Sequence, residues 1–300
     1  MSSTDVLEQD SNFHTPLERV NYAAGMLLGV EATRDEQAYH RRRLNRERYW
    51  FRGAGTLLGL GVSVQAEAIA DIEADTRVDL LVSPGVGIDG LGREVMSHEP
   101  YCLNLREWFR SQLESPEGNL LIQDGLEASG DRLSLLITMR YRDCEAGLQP
   151  VLARKVNAGT DPVEPSRARD GLILEIIPGP VPERDDSWFW GGHVAAEDFA
   201  SSLTDAERDY LDSLAPEARQ LLEAQGERVY ALPNTNRALE VSGDPEEVAR
   251  TVLAQVRVPL RTSELPALSP IVNPNRIEVN NLVRRFIQTA EQNAWLARQP

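Results

Sequence analysis

The chain lacks the short sequence motifs that mark common enzyme classes. It contains no G-x-S-x-G nucleophile motif, no H-E-x-x-H zinc motif and no C-x-x-C pair. Its two cysteines, Cys102 and Cys144, stand in strand-like sequence without a metal-binding pattern, which favours reduced structural thiols. An active site would have to be assembled from residues distant in sequence, so we expect no enzyme activity, no cofactor and no metal site.

Basic residues are scarce, and lysine is nearly absent. The 31 Lys and Arg residues are outnumbered by 47 Asp and Glu, for a formal net charge of −16, and Lys155 is the only lysine. Proteins that bind nucleic acid or anionic membrane surfaces use clustered cations. The composition therefore argues against both kinds of partner.

Long hydrophobic runs are also missing. The longest apolar stretch, 56–64, is interrupted by glycine and is far shorter than the roughly 20 residues of a membrane helix. Residues 1–20 are polar and acidic, unlike the basic and apolar regions of a secretory signal. We expect no membrane insertion, and we expect synthesis and folding in the cytoplasm.

The composition and the local patterns predict an α+β fold made of short elements in three regions. These are an N-terminal arm and helix (1–52), an antiparallel β-sandwich or barrel-like domain (53–178) and a helical C-terminal region (179–300). Residues 31–52 lack Pro and Gly, which favours a helix. From 56 to 177, short apolar or alternating runs separated by Gly, Pro and Asp predict antiparallel strands.

Two stretches interrupt these predicted strands. Residues 106–115 have the composition of a short helix inserted between strands. Residues 143–170 are predicted to form a long loop with at most one short strand. A loop of that length in a compact domain usually serves as a contact surface or is poorly ordered.

Helix signals dominate the last third of the chain. Thr204 and Glu207 have the spacing of a capping box, and a cap residue before Pro245 predicts a helix over 245–256. Apolar residues then recur at three- to four-residue spacing: Val279, Val283, Phe286, Ala290 and Ala294. This stripe predicts a C-terminal helix that buries Val283 and Phe286, either against a partner protein or against its own domain.

A glycine pattern resembles a nucleotide-binding loop only in its letters. Gly85, Gly87 and Gly90 match G-x-G-x-x-G, but such a loop must open a helix whose free backbone N–H groups meet the pyrophosphate. Here a predicted strand follows, and Asp89 lies inside the turn. The pattern therefore indicates a hairpin whose glycines permit positive φ angles, not a nucleotide site.

Two apolar clusters are candidate binding surfaces. The arm before the first helix carries Tyr22, Met26, Leu27 and Leu28. Because an exposed apolar segment is unfavourable in an isolated protein, we expect the arm to contact another protein or to pack under the β-domain.

The second cluster consists of Trp188, Phe189 and Trp190 in a predicted loop. Aromatic residues in a loop can stack on a sugar or anchor a protein interface. The other interpretation is that they cover the edge of the β-domain where the C-terminal region joins. A glycan- or receptor-binding role is thus the alternative function that the sequence leaves open.

Several motifs between residues 13 and 177 stand in a defined order. An Asn-Tyr pair and a Gly-x-Leu-Leu come first, a helix with Glu-Gln-x-Tyr-His follows, and Ser-Pro-Gly and Asp-x-x-Gly-Arg-Glu turns come last. The residues are Asn21, Tyr22, Gly25, Leu27, Leu28, Glu36–His40, Ser83–Gly85, Asp89 and Gly92–Glu94. This order resembles a family of proteins associated with contractile injection systems and phage-tail-like particles.

The resemblance implies a non-enzymatic structural component of such a particle, at the baseplate or its periphery. The arm and helix would dock on other particle or baseplate proteins, and the β-domain would serve as a scaffold or spacer. A homo-oligomer is an open alternative. Assembly would take place in the cytoplasm, and the finished particle would be released or anchored to a cell.

Overall fold

The computed structural model describes residues 3–13, 15–66, 78–150, 163–182, 203–219, 222, 244–260, 276–296 and 298. Its helices and antiparallel strands confirm the expected α+β class. The chain divides into two compact units, one formed by residues 1–3, 44–182 and 249–300 and the other by residues 4–43 and 183–248. No helix in the described ranges has both the length and the apolar character to cross a membrane.

The described elements alternate along the chain. The helices are α1 (Ser3–Ser11), α2 (Val30–Phe51), α3 (Leu105–Leu113), α4 (Pro116–Asp124), α5 (Asp205–Asp212), α6 (Pro245–Ala249) and α7 (Ala290–Leu296). The strands are β1 (Gly55–Gly59), β2 (Val62–Ala66), β3 (Val78–Val82), β4 (Gly85–Ile88), β5 (Glu94–Ser97), β6 (Tyr101–Asn104), β7 (Arg132–Pro150), β8 (Val163–Pro178), β9 (Thr251–Pro259) and β10 (Glu278–Asn280).

The first unit contains three antiparallel sheets, in the strand orders β1-β4-β5, β2-β3-β6 and β10-β9-β7-β8. A buried apolar cluster includes residues from all three sheets and from α3 and α4. Strand β7 contributes Leu133, Leu135, Ile137 and Met139, which face one side because side chains alternate along a strand. The predicted short helix is confirmed as α3, and its Phe109 is buried in this cluster.

The second unit contains α1, the arm, the first part of α2 and α5. Arg41 Nε of α2 lies 3.0 Å from the buried carboxylate of Asp10 in α1. The predicted capping box is confirmed: the side chains of Thr204 and Glu207 each accept a hydrogen bond from the other residue's backbone N–H at the start of α5.

The described residues of the C-terminal third include strands as well as helices, so the helical region predicted for 179–300 is not confirmed. The helix that begins at Pro245 ends at Ala249, and Thr251–Pro259 forms β9 at the centre of a sheet. A strand buried on both faces is apolar nearly throughout, and periodicity alone does not distinguish it from a buried helix. The run is a strand here because it pairs with β7.

The single C-terminal helix predicted from the apolar stripe is also wrong. Val279 lies in strand β10, Val283 ends a 3₁₀ helix (Asn281–Val283), and an α-helix begins only at Ala290. The side chain of Asn281 hydrogen-bonds both the N–H and the C=O of Val62, at 2.9 Å each. Such side-chain bonds to the backbone compete with helix formation.

The predicted loop over residues 143–170 is also wrong within the described residues. Strand β7 continues to Pro150 and β8 begins at Val163, and the two pair over this whole length. The connection, 151–162, lies outside the described residues. The outer part of this hairpin is exposed on both faces, and its sequence is polar. It therefore lacks the alternation of apolar and polar residues that marks a half-buried strand.

The glycine-rich turn is a hairpin, because β4 pairs with β5 from Gly85↔Ser97 to Ile88↔Glu94. None of the three pattern glycines has a positive φ, so that part of the prediction is wrong. Crowding explains Gly87 instead, since an added Cβ would lie 2.8 Å from the backbone oxygen of Gly55 in β1. The left-handed residue is Gly92, with φ +80°.

We predict that Gly92→Ala lowers the free energy of unfolding by about 2 kcal/mol or more, because strain at positive φ adds to a steric clash. The added Cβ would lie 2.1 Å from the backbone oxygen of Asn45. Urea denaturation of the full chain measures the change. Gly61→Ala is the control, because its Cβ would meet Ser83 Oγ at 3.6 Å, an ordinary contact. Equal losses for the two variants would contradict the assignment.

Candidate functional site

The arm exposes the apolar residues that the sequence singled out. Leu27 is 94% exposed, and Tyr22, Met26 and Leu28 are each roughly half exposed. A turn, in which Met26 N donates to Ala23 O at 3.1 Å, presents them together. Contact with another protein and packing under the β-domain both stay predictions.

The arm is tied to the second unit on both sides of the exposed cluster. On its N-terminal side, Val20 N donates to Glu36 Oε2 of α2 at 3.2 Å. On its C-terminal side it runs directly into α2 at Val30. A segment that is fixed at both ends loses less conformational entropy when a partner covers it.

The two C-terminal residues predicted to lie in an interface have different surroundings. Val283 is half-buried in the 3₁₀ helix, whereas Phe286 is 58% exposed. The backbone beside Phe286 pairs with β1, because Thr56 N donates to Arg285 O and Ile287 N donates to Thr56 O, both at 2.9 Å. The structure therefore separates these two residues, which the sequence had placed on one helical face.

The structure adds exposed apolar residues on β1 that the sequence did not single out. Leu58 is 71% exposed, and Leu57 beside it is also exposed. The pairing of β1 with β4 shifts register between Thr56 and Leu58, which marks a β-bulge. The two adjacent leucines were the available signal, because an alternating strand buries only one of two neighbours. Trp188, Phe189 and Trp190 lie outside the described residues.

A buried ion pair lies at the turn between β4 and β5. The carboxylate of Asp89 accepts hydrogen bonds from Leu91 N, Arg93 N and Arg93 Nε at 2.8–3.0 Å, and from Tyr141 N of β7 at 3.2 Å. The guanidinium carbon of Arg93 lies 5.2 Å from the centroid of the Tyr141 ring. Four donors satisfy this carboxylate, so Asp89 is a structural residue and not an exposed acid or base.

A second ionic group joins β7, β8 and the residue before β9. Arg140 Nε and Arg250 Nε lie 3.1 Å and 3.0 Å from Glu175 Oε2. Burial raises the pKa of the Glu175 carboxyl, but the hydrogen bonds and charges of the two arginines outweigh it and hold the pKa below its usual value.

Tyr141 lies where the outer part of the β7–β8 hairpin begins. Its hydroxyl lies within hydrogen-bond distance of the carboxylates of Asp143 and, at 2.7 Å, Asp170, and it can donate to either. Burial raises the pKa of this hydroxyl, and the two carboxylates raise it further. Tyr141 therefore stays protonated. In the described ranges no three His, Cys, Asp or Glu side chains are placed to hold a metal ion.

We predict that Asp89→Asn lowers the free energy of unfolding by about 3 kcal/mol or more, because it leaves the buried Arg93 without its counter-charge. Glu94→Gln is the matched control in the same turn. Its carboxylate pairs with Arg48 at the surface, at 2.7 Å, and exposed pairs contribute at most about 1 kcal/mol. Urea denaturation of both variants tests this. A smaller loss for Asp89→Asn than for Glu94→Gln would contradict it.

We predict that Glu175→Gln destabilises the chain by about 1–2 kcal/mol at pH 7 by removing charged hydrogen bonds. Because the folded-state pKa of Glu175 is lowered, its stabilisation is present above the unfolded pKa of about 4.3 and is lost as the pH falls through the folded pKa. The difference between wild type and variant should therefore shrink below about pH 4 in denaturation curves. A pH-independent difference would refute the assignment. Glu145→Gln, at an exposed position, is the control.

The chain was compared with models of known protein families and with curated proteins. No family model matches it, and no curated protein is significantly similar to it. Neither comparison assigns a function to the exposed arm, so the evidence for function lies in the surfaces and buried groups described above.

Proposed function

We propose that this chain is a non-enzymatic structural component of a contractile injection system or phage-tail-like particle, at the baseplate or its periphery. The observation that supports this function is the exposed apolar arm of Tyr22, Met26, Leu27 and Leu28. A partner that buries one such side chain completely gains about 1.5–3 kcal/mol from it. The arm is therefore the part of the described chain best suited to dock on another particle protein.

The contact between two of the resembling motifs also supports the proposal. Gly92 of the Asp-x-x-Gly-Arg-Glu turn lies against the backbone of Asn45 in α2, and Arg48 of the same helix pairs with Glu94. The helix and the turn, which are distant in sequence, thus form one structural contact.

The β-domain would serve this function as a scaffold or spacer, with its antiparallel sheets packed as a sandwich. Two of its ionic groups pair internally: the buried Asp89 with the buried Arg93, and the half-buried Glu175 with Arg140 and Arg250. Such internal ion pairs suit a protein that positions others. In this proposal the partners are other particle or baseplate proteins, and assembly takes place in the cytoplasm.

We predict that Leu27→Asp with Leu28→Asp abolishes co-purification with sheath, tube and spike proteins from cells that make the whole particle. Both side chains are exposed, so the melting temperature should stay within about 2 °C of wild type, as for most surface changes. Co-purification and thermal denaturation are measured on the same full-length preparations.

The matched control for this experiment is Thr33→Asp with Gln37→Asp. Both positions are exposed on α2, so the pair adds the same charge without removing apolar surface. It should leave co-purification unchanged. If the double leucine variant still co-purifies at the wild-type level, the arm is not the docking element.

A further inference from the structure

The outer part of the β7–β8 hairpin extends beyond the sheet that supports its base. Strand β9 pairs with β7 from Arg132 to Met139, whereas β8 pairs with β7 as far as Pro150. We call residues 142–149 and 165–171 the ribbon. Most of its residues are exposed, and a two-stranded ribbon without a third strand or a covering helix is only marginally stable in water.

The two faces of the ribbon carry opposite charges. Directly paired residues of antiparallel strands share a face, and successive residues alternate between faces. The pairs Arg142↔Gly171, Cys144↔Arg169 and Ala146↔Arg167 define a cationic face. The pairs Asp143↔Asp170 and Glu145↔Ala168 define an acidic face.

This separation of charge does not stabilise the ribbon itself. Asp143 and Asp170 lie directly opposite each other, where like charges are destabilising. The single hydroxyl proton of Tyr141 satisfies only one of them at a time. Placing one arginine on the acidic face would have formed a cross-strand ion pair instead. The arrangement is therefore suited to a partner and not to the isolated hairpin.

We propose that the ribbon docks on the ribbon of a second copy of this chain, with the cationic face of one copy against the acidic face of the next. Both complementary faces lie on the same two strands. Arg167 and Arg169 stand two residues apart on the cationic face, and Asp143 and Glu145 stand two residues apart on the acidic face, an interval of about 6.6 Å along a strand. A second copy therefore supplies acidic groups at the spacing that the arginines require.

Apolar groups near the end of the ribbon add to this contact. Leu148 is 72% exposed and shares the cationic face with Ala146, and Ala168 lies on the acidic face. The contact is heterologous, because different faces meet, so it can repeat from copy to copy. This inference goes beyond the proposed function and does not depend on the arm.

Charge reversal tests the pairing in solution. Arg167→Glu with Arg169→Glu makes both faces acidic, and Glu145→Arg with Asp170→Arg makes both faces cationic. Each variant alone should self-associate about tenfold more weakly than wild type in sedimentation velocity at low salt, because attraction becomes repulsion. An equimolar mixture of the two variants should restore association. A wild-type chain that stays monomeric at low salt, or a mixture that stays dissociated, would overturn the proposal.

Disulfide trapping tests the geometry independently of affinity. Both cysteines of the chain are free and exposed, so Cys102→Ser leaves only Cys144, on the cationic face. The second reagent carries Cys102→Ser, Cys144→Ser and Ala168→Cys, with its thiol on the acidic face. Mild oxidation of the mixture should yield mainly the mixed dimer. Predominance of dimers of the first reagent would mean that cationic faces meet each other, and absence of any dimer would mean that the faces do not meet. Either result overturns the proposal.

Discussion

The arrangement of the first unit depends on the buried ion pair between Asp89 and Arg93. A carboxylate removed from water needs both an opposite charge and hydrogen-bond donors. Asp89 finds them in its own turn and in the backbone N–H of Tyr141. The pair therefore connects the β1-β4-β5 sheet with β7 of another sheet. Since both charges are buried, separating the turn from the strand would remove one of the four hydrogen-bond donors to the carboxylate.

This junction also determines which parts of the unit face outward. Strand β9 supports β7 as far as Met139, and Asp89 binds β7 at Tyr141. The hairpin beyond that point is exposed and carries its charges to solvent. On the other side of the turn, Gly92 lies against α2. The surfaces that we propose for partners, the ribbon and, in the second unit, the arm, are both exposed.

Local signals predicted the elements whose stability is local. Helix α2, the short helix α3, the capping box at Thr204 and the β4–β5 hairpin are all present. The exposed arm residues were also identified, because Tyr22, Met26, Leu27 and Leu28 are apolar in a polar stretch. Helix α4 was not predicted, although Ser115 caps it and Pro116 opens it.

The sequence by itself determined the class of the fold, the amphipathic strands of the β-domain and the absence of known short catalytic motifs, since these follow from composition and period. Only the tertiary structure decided that Thr251–Pro259 is a strand, because an apolar run fits a helix or a buried strand equally well until a neighbour pairs with it. It also decided that Asp89 is buried and that the ribbon has two oppositely charged faces. Both properties depend on strand register, which joins residues far apart in the chain.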